Sequence, residues 1–155
     1  MQNILLIGAS TITLASVIPY IRDILKGTTK PNIVSWVTWT LLTAIATAAE
    51  YSVHEYTVAI YTASAAVTTA MIVFLGFKYG YARYTSFDII CQISALIGFA
   101  LWWIFNNPAL AVIASVTIDL VAALPTIRHA WIDPSEETSL TYAMCSMGEC
   151  WQFLR

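Results

Sequence analysis

Residues 7–22 read IGASTITLASVIPYIR, and 106 residues later residues 113–128 read IASVTIDLVAALPTIR. Laid over each other, Ile7, Thr11, Ile12, Leu14, Pro19, Ile21 and Arg22 meet Ile113, Thr117, Ile118, Leu120, Pro125, Ile127 and Arg128. Each copy is an apolar run that ends in a proline followed shortly by an arginine. A chain that uses such a segment twice is expected to be built from duplicated helical units, an arrangement common among transporters.

The composition agrees. Of 155 residues, 59% are hydrophobic and 10% charged, whereas a water-soluble domain carries about 25% charged residues. Polar surface is too scarce for these runs to face water. The seven basic residues are scattered over the chain without a patch, which argues against nucleic acid as a partner. Cys91, Cys145 and Cys150 are odd in number and form no CxxC pair. They read as small apolar side chains, so neither a disulfide nor a metal site is expected. No nucleotide loop, dinucleotide fingerprint or HExxH is present, and neither an enzymatic activity nor a cofactor is expected.

Six runs are long enough to approach or complete a bilayer crossing, which takes about 20 helical residues: 4–25, 33–49, 56–77, 86–105, 108–129 and the weaker 139–154. Continuous apolarity excludes barrel strands, which alternate in polarity over about 10 residues. Pro31, Pro108 and Pro134 suit helix starts, where the missing N–H is not needed. The first run follows Met-Gln-Asn without a basic flank, so it is expected to stay as a membrane helix. Arg22, Lys26 and Lys30 mark the first link, Lys78 and Arg83 the third, and Arg128 the fifth. The second and fourth links hold no Lys or Arg. Odd-numbered links are therefore expected in the cytoplasm and the N-terminus outside. The minimal loops suggest a bacterial inner membrane.

Pro19 and Pro125 sit late in their runs and each removes an internal helix hydrogen bond, so both are hinge candidates. Asp119 lies mid-run in the fifth helix. A charge there is costly unless it faces protein, water or a partner, which marks a solute or proton site. Its repeat counterpart is Thr13. Trp36 and Trp39 share one helix face beside several hydroxyls. Trp39 is the deeper cavity candidate, and Trp36 sits near the end of the helix like an interfacial anchor. Trp102, Trp103 and Trp131 read as anchors too. On the third helix, Tyr61, Ser64 and Thr68 fall near one stripe and are the hydroxyl candidates. Glu149 is a secondary cavity candidate, and Glu50 and Asp88 are expected at interfaces.

The Pro19-Tyr-Ile-Arg22 and Pro125-Thr-Ile-Arg128 segments, with the Lys26-Gly-Thr-Thr-Lys30 link after the first, resemble the leading helices of the two repeats in the SWEET / PQ-loop transporter superfamily. Tyr20 and Thr126 stand where that motif often has glutamine. The resemblance implies an all-α polytopic membrane protein with parallel three-helix-bundle repeats joined by a linker helix, a 3+1+3 plan. Residues 1–78 would be the first repeat, 79–106 the linker and 107–155 an incomplete second repeat, truncated before a seventh helix. It further implies alternating access to a central site for a small polar solute, a sugar or an amino-acid-like molecule. Pro19 and Pro125 would be the hinges, and Trp36 or Trp39 an aromatic wall. The partners expected are the lipid bilayer, the solute, protons and, as an allowed assembly, further copies of the chain. A non-transporting scaffold or receptor is the alternative.

Overall fold

The computed structural model describes residues 2–80, 85–105 and 108–145, less the side chains of 2–7, 9, 10, 13, 98, 99, 101–103, 105 and 108–112. It places five long helices: α1 (Gln2–Leu25), α2 (Ile33–Ser52), α3 (Tyr56–Tyr79), α4 (Ser86–Phe105) and α5 (Pro108–Ile132). A 3₁₀ turn (Pro134–Glu136) follows, and residues 139–145 are again helical, here α6. The expected sixth run thus begins as read. Its continuation, with Glu149 and Cys150, lies outside the described residues. No strand occurs among the described residues.

The local chemistry explains the breaks. Gly27 adopts φ 74° just after α1, a left-handed conformation that glycine takes without a Cβ penalty. Its N–H bonds the Ile24 carbonyl at 2.9 Å. Asn32 caps α2, its side chain accepting from the Val34 N–H at 3.1 Å, which satisfies a donor that the helix start leaves open. At Gly76 a Cβ would meet Ile33 Cγ1 at 3.0 Å. The end of α3 therefore presses against the start of α2.

Polar and apolar side chains share the interior, while large apolar side chains cover much of the outside. Ser16, Ser35, Thr38, Thr126 and Thr141 are buried, while Ile60, Val67, Met71, Phe74, Ile97, Val116 and Leu120 are exposed. On α3 the exposed side chains recur at helical spacing, giving a lipid-like face far beyond what a soluble monomer shows. The hydroxyls of Thr40, Thr43 and Thr47 bond backbone carbonyls four residues back, each at 2.8 Å, which satisfies them without water. Ile33–Ser52, Tyr56–Tyr79 and Ile113–Ile132 are long and apolar enough to cross a membrane. Six crossings were expected; three stand on the described residues. The fold is that of an all-helical membrane protein.

In packing, α3 lies against both α1 and α2, α2 also packs on α5, and α4 lies mainly against α5. From α6, Tyr142 joins the core formed by Val17, Tyr20, Ile24, Trp36 and Ile72. The first, third and fifth links meet at one end. Lys30 of the first link pairs with Glu136 of the fifth. Asn32 reaches Asp88 at the start of α4 at 3.4 Å, and Arg128 at the end of α5 reaches Thr85 of the third link at 3.4 Å. Accordingly α1, α3 and α5 run toward this link end and α2 and α4 run away from it. Asp88 sits in the first turn of α4 at this end and is buried there, where the Thr85 N–H and hydroxyl donate to it at 2.7 and 2.8 Å and Asn32 adds a third partner.

Candidate functional site

A cavity of about 330 Å³ lies among α1, α2, α3, α5 and α6. Trp36, Trp39, Tyr61, Thr68 and Asp119 border it. These five come from three helices and are separated by up to 83 positions in the sequence, from Trp36 to Asp119. Ser64, expected with them, donates its hydroxyl to the Tyr61 carbonyl at 2.6 Å and does not border the cavity. The side chain of Thr13 lies outside the described residues.

Asp119 and Trp39 form the polar centre. The indole Nε1 donates to Asp119 Oδ1 at 2.9 Å, joining α5 to α2. Among the described lining residues Asp119 carries the formal charge. Its second oxygen offers acceptor capacity for a donor brought by a solute. Leu42, Thr43 and Asp119 also border a second cavity of about 440 Å³ between α2 and α5. Asp119 therefore stands at the junction of two spaces.

Aromatic rings close the link end of the first cavity. Tyr20 is fully buried and packs on Trp36 with centroids 5.1 Å apart and on Tyr142, edge to face, at 6.1 Å. Trp36 in turn meets Trp39 edge to face at 5.1 Å. Such pairs favour offset or edge geometries and add to burial. Trp36 is 6% exposed, so it is a wall of the cavity rather than an anchor. Trp131, 87% exposed, suits the anchor position. The side chains of Trp102 and Trp103 lie outside the described residues.

Beneath the rings lies Glu137. Its Oε2 accepts from the hydroxyls of Tyr20 and Tyr142, each at 3.0 Å. Burial pushes its carboxyl up to about 7; the two phenol hydrogen bonds pull against that shift, and neighbouring Glu136 adds to it. Close by, one ligand atom each from His129, Asp133 and Glu136 fall within 4.8 Å of one another. Lys30 already occupies Glu136, so this group reads as an ion-pair cluster.

Pro19 and Pro125 lie inside α1 and α5, six and seven residues before the helix ends at Leu25 and Ile132. Each directly precedes a residue of the link-end core, Tyr20 and Thr126, both buried. Pro125 is itself fully buried, whereas Pro19 is half-buried.

Sequence reasoning missed Tyr20, Glu137, Tyr142 and Cys145. The repeat interval held a usable signal for two of them, since a shift of 106 carries Trp36 onto Tyr142 and Trp39 onto Cys145. The structure places all four against the cavity or its closure. No family model, curated protein or solved structure matches the chain.

Proposed function

We propose that this chain is a membrane transporter or facilitator of a small polar solute, sugar or amino-acid-like, working by alternating access. The observation that carries the reading is the cavity at Asp119 and Trp39, bounded by helices with apolar outer faces, open at the exposed Asp119 and shut at the other end by Tyr20, Trp36 and Tyr142. Its volume suits a small solute. Indole faces would take the apolar side of such a molecule, and Asp119 would accept from its hydroxyl or ammonium donors.

The prolines supply the motion. Pro19 and Pro125 leave the carbonyls of Ala15 and Val121 without their usual helical donors. A bend at Pro19 would move Tyr20, the residue that follows it, out of the closure. Solute then shifts the population between the two open states by binding them differently. In this reading the units are SWEET / PQ-loop-like. Their support is the shared position of the prolines and the crossed contacts of α1 with α6 and α5 with α2. The Lys/Arg-bearing link end faces the cytoplasm of a bacterial inner membrane, by the positive-inside rule.

The test is thermal stabilisation of the purified chain by sugars, amino acids and vitamins, followed by uptake into proteoliposomes. One solute class is expected to raise the melting temperature and to accumulate, and Asp119→Asn is expected to abolish both effects. Stabilisation without uptake would make the chain a receptor. Neither effect with any solute class would remove the transport reading.

A further inference from the structure

Three segments converge on one carboxylate below the aromatic closure. Tyr20 comes from α1, Tyr142 from α6, and Glu137 from the link between α5 and α6. Both phenols donate to Oε2. The other oxygen, Oε1, is shut off from solvent and has no hydrogen-bond partner among the described residues. An acid held this way joins two helices that must part if the link end is to open.

We propose that Glu137 is a proton-binding site, and that the bound proton holds the link end of the cavity closed. The inference rests on the transport reading in one respect only, that the space so closed is the solute path. As a carboxylate, Glu137 would keep an unpartnered charged oxygen in a dry site, which is costly. A proton arriving from water at the link end and settling on Oε1 removes that charge, while Oε2 still accepts from both phenols. Opening separates α1 from α6 and admits water, where the carboxylate is hydrated and the proton leaves. The closed form therefore binds the proton more tightly than the open form, so the proton favours closure.

The other titratable and charged groups around Glu137 leave it this role. From α1, Asp23 accepts from the Thr138 hydroxyl at 3.1 Å, and Tyr20 donates as described. From α6, Cys145 contacts Ser16, and Tyr142 donates. In the same link Glu136 is met by Lys30 of the first link and by His129 of α5. The upward displacement of Glu137 to about 7 puts its titration near neutrality.

Ser16 Oγ and Cys145 Sγ lie 3.2 Å apart across the α1–α6 contact, so a disulfide there reports closure. The experiment introduces Ser16→Cys into the full chain with Cys91→Ala and Cys150→Ala, and follows crosslinking by a copper–phenanthroline oxidant from acid to alkaline pH without solute. Each rate is divided by that of the same protein carrying Glu137→Gln, the neutral isostere, which cancels thiol ionisation. The ratio is expected to fall about tenfold on raising the pH through 7. A ratio that stays flat overturns the proposal. Should the glutamine protein fail to fold, Tyr20→Phe with Tyr142→Phe serves instead, with pH-matched rates of the parent as reference. Loss of the phenol bonds to the charged form is expected to move the midpoint upward by about one pH unit, and an unmoved midpoint overturns the clamp. A pH-dependent crosslink in a chain that moves no solute would sink the transport reading alone; a flat crosslink in a chain that moves solute would sink the proton site alone.

Discussion

Lys30 and Glu136, 106 residues apart, pair with each other across the first and fifth links. That separation is the interval at which the two proline-bearing segments superimpose. The contact ties the first link to the fifth and so holds the ends of α1 and α5 near one another. A charge reversal tests the pair. Lys30→Glu or Glu136→Lys alone is expected to lower the melting temperature, and the two together to restore it. Lys30 is 44% exposed, so the coupling should stay at or below about 1 kcal/mol. Simple additivity of the two reversals would show the ion pair to be idle.

Trp39 holds Asp119 through its indole N–H. Replacing it by phenylalanine keeps a ring in the cavity and removes the donor. A hydrogen bond to a charged group is worth about 1.5–3 kcal/mol. Trp39→Phe is therefore expected to lower the melting temperature of the solute-free chain, and, by releasing Asp119 from its fixed position, to weaken solute affinity, both read by thermal shift. Trp131→Phe, at an exposed position near the end of α5 and away from the cavity lining, should leave that affinity where it was.

Pro19 and Pro125 interrupt helices that otherwise continue through them. Pro19→Ala and Pro125→Ala restore the missing N–H donors and stiffen the segments beside the link-end core. Uptake should slow while the melting temperature holds or rises. The fully buried Pro125 carries the greater risk of repacking. A pair of alanine variants with unchanged uptake would deny the prolines a hinge function.

The stability of the chain should fall with rising pH in a defined window. Glu137 in the folded protein keeps its proton to about 7, against 4.5 for an ordinary glutamate. Below about pH 4.5 both the folded and unfolded chains hold that proton. Between 4.5 and 7 the unfolded chain has released a proton that the folded chain keeps, so stability declines as pH rises. Above 7 the contribution is gone. The loss is at most about 3 kcal/mol. Melting curves of the parent minus those of Glu137→Gln should show this slope, and a difference of zero or of opposite sign would contradict it.

Much of the fold was legible because bilayer-length apolar runs are hard to mistake and because Pro31, Asn32 and Pro108 mark helix starts. The helix ends of α2, α3 and α5 ran two or three residues further than the apolar pattern, since residues such as Tyr51, Tyr79 and Trp131 suit the interface while remaining helical. Within the cavity, Asp119 and Trp39 were visible one by one, as a charge and an indole in apolar surroundings. Their partnership was not, because it depends on α5 lying beside α2. Glu137 was hidden more thoroughly. It belongs to an acidic stretch that reads as a polar helix start, and the return of α6 onto α1 is what shuts its Oε1 off from solvent. The Asn32 partner of Asp88 was hidden in the same way, 56 residues away in sequence.

The two cavities have Leu42, Thr43 and Asp119 as a common wall. That shared wall is supplied by α2 and α5 together. An oversized residue in place of Thr43 would therefore crowd both spaces at once, while the outer shape of the molecule stayed as it is.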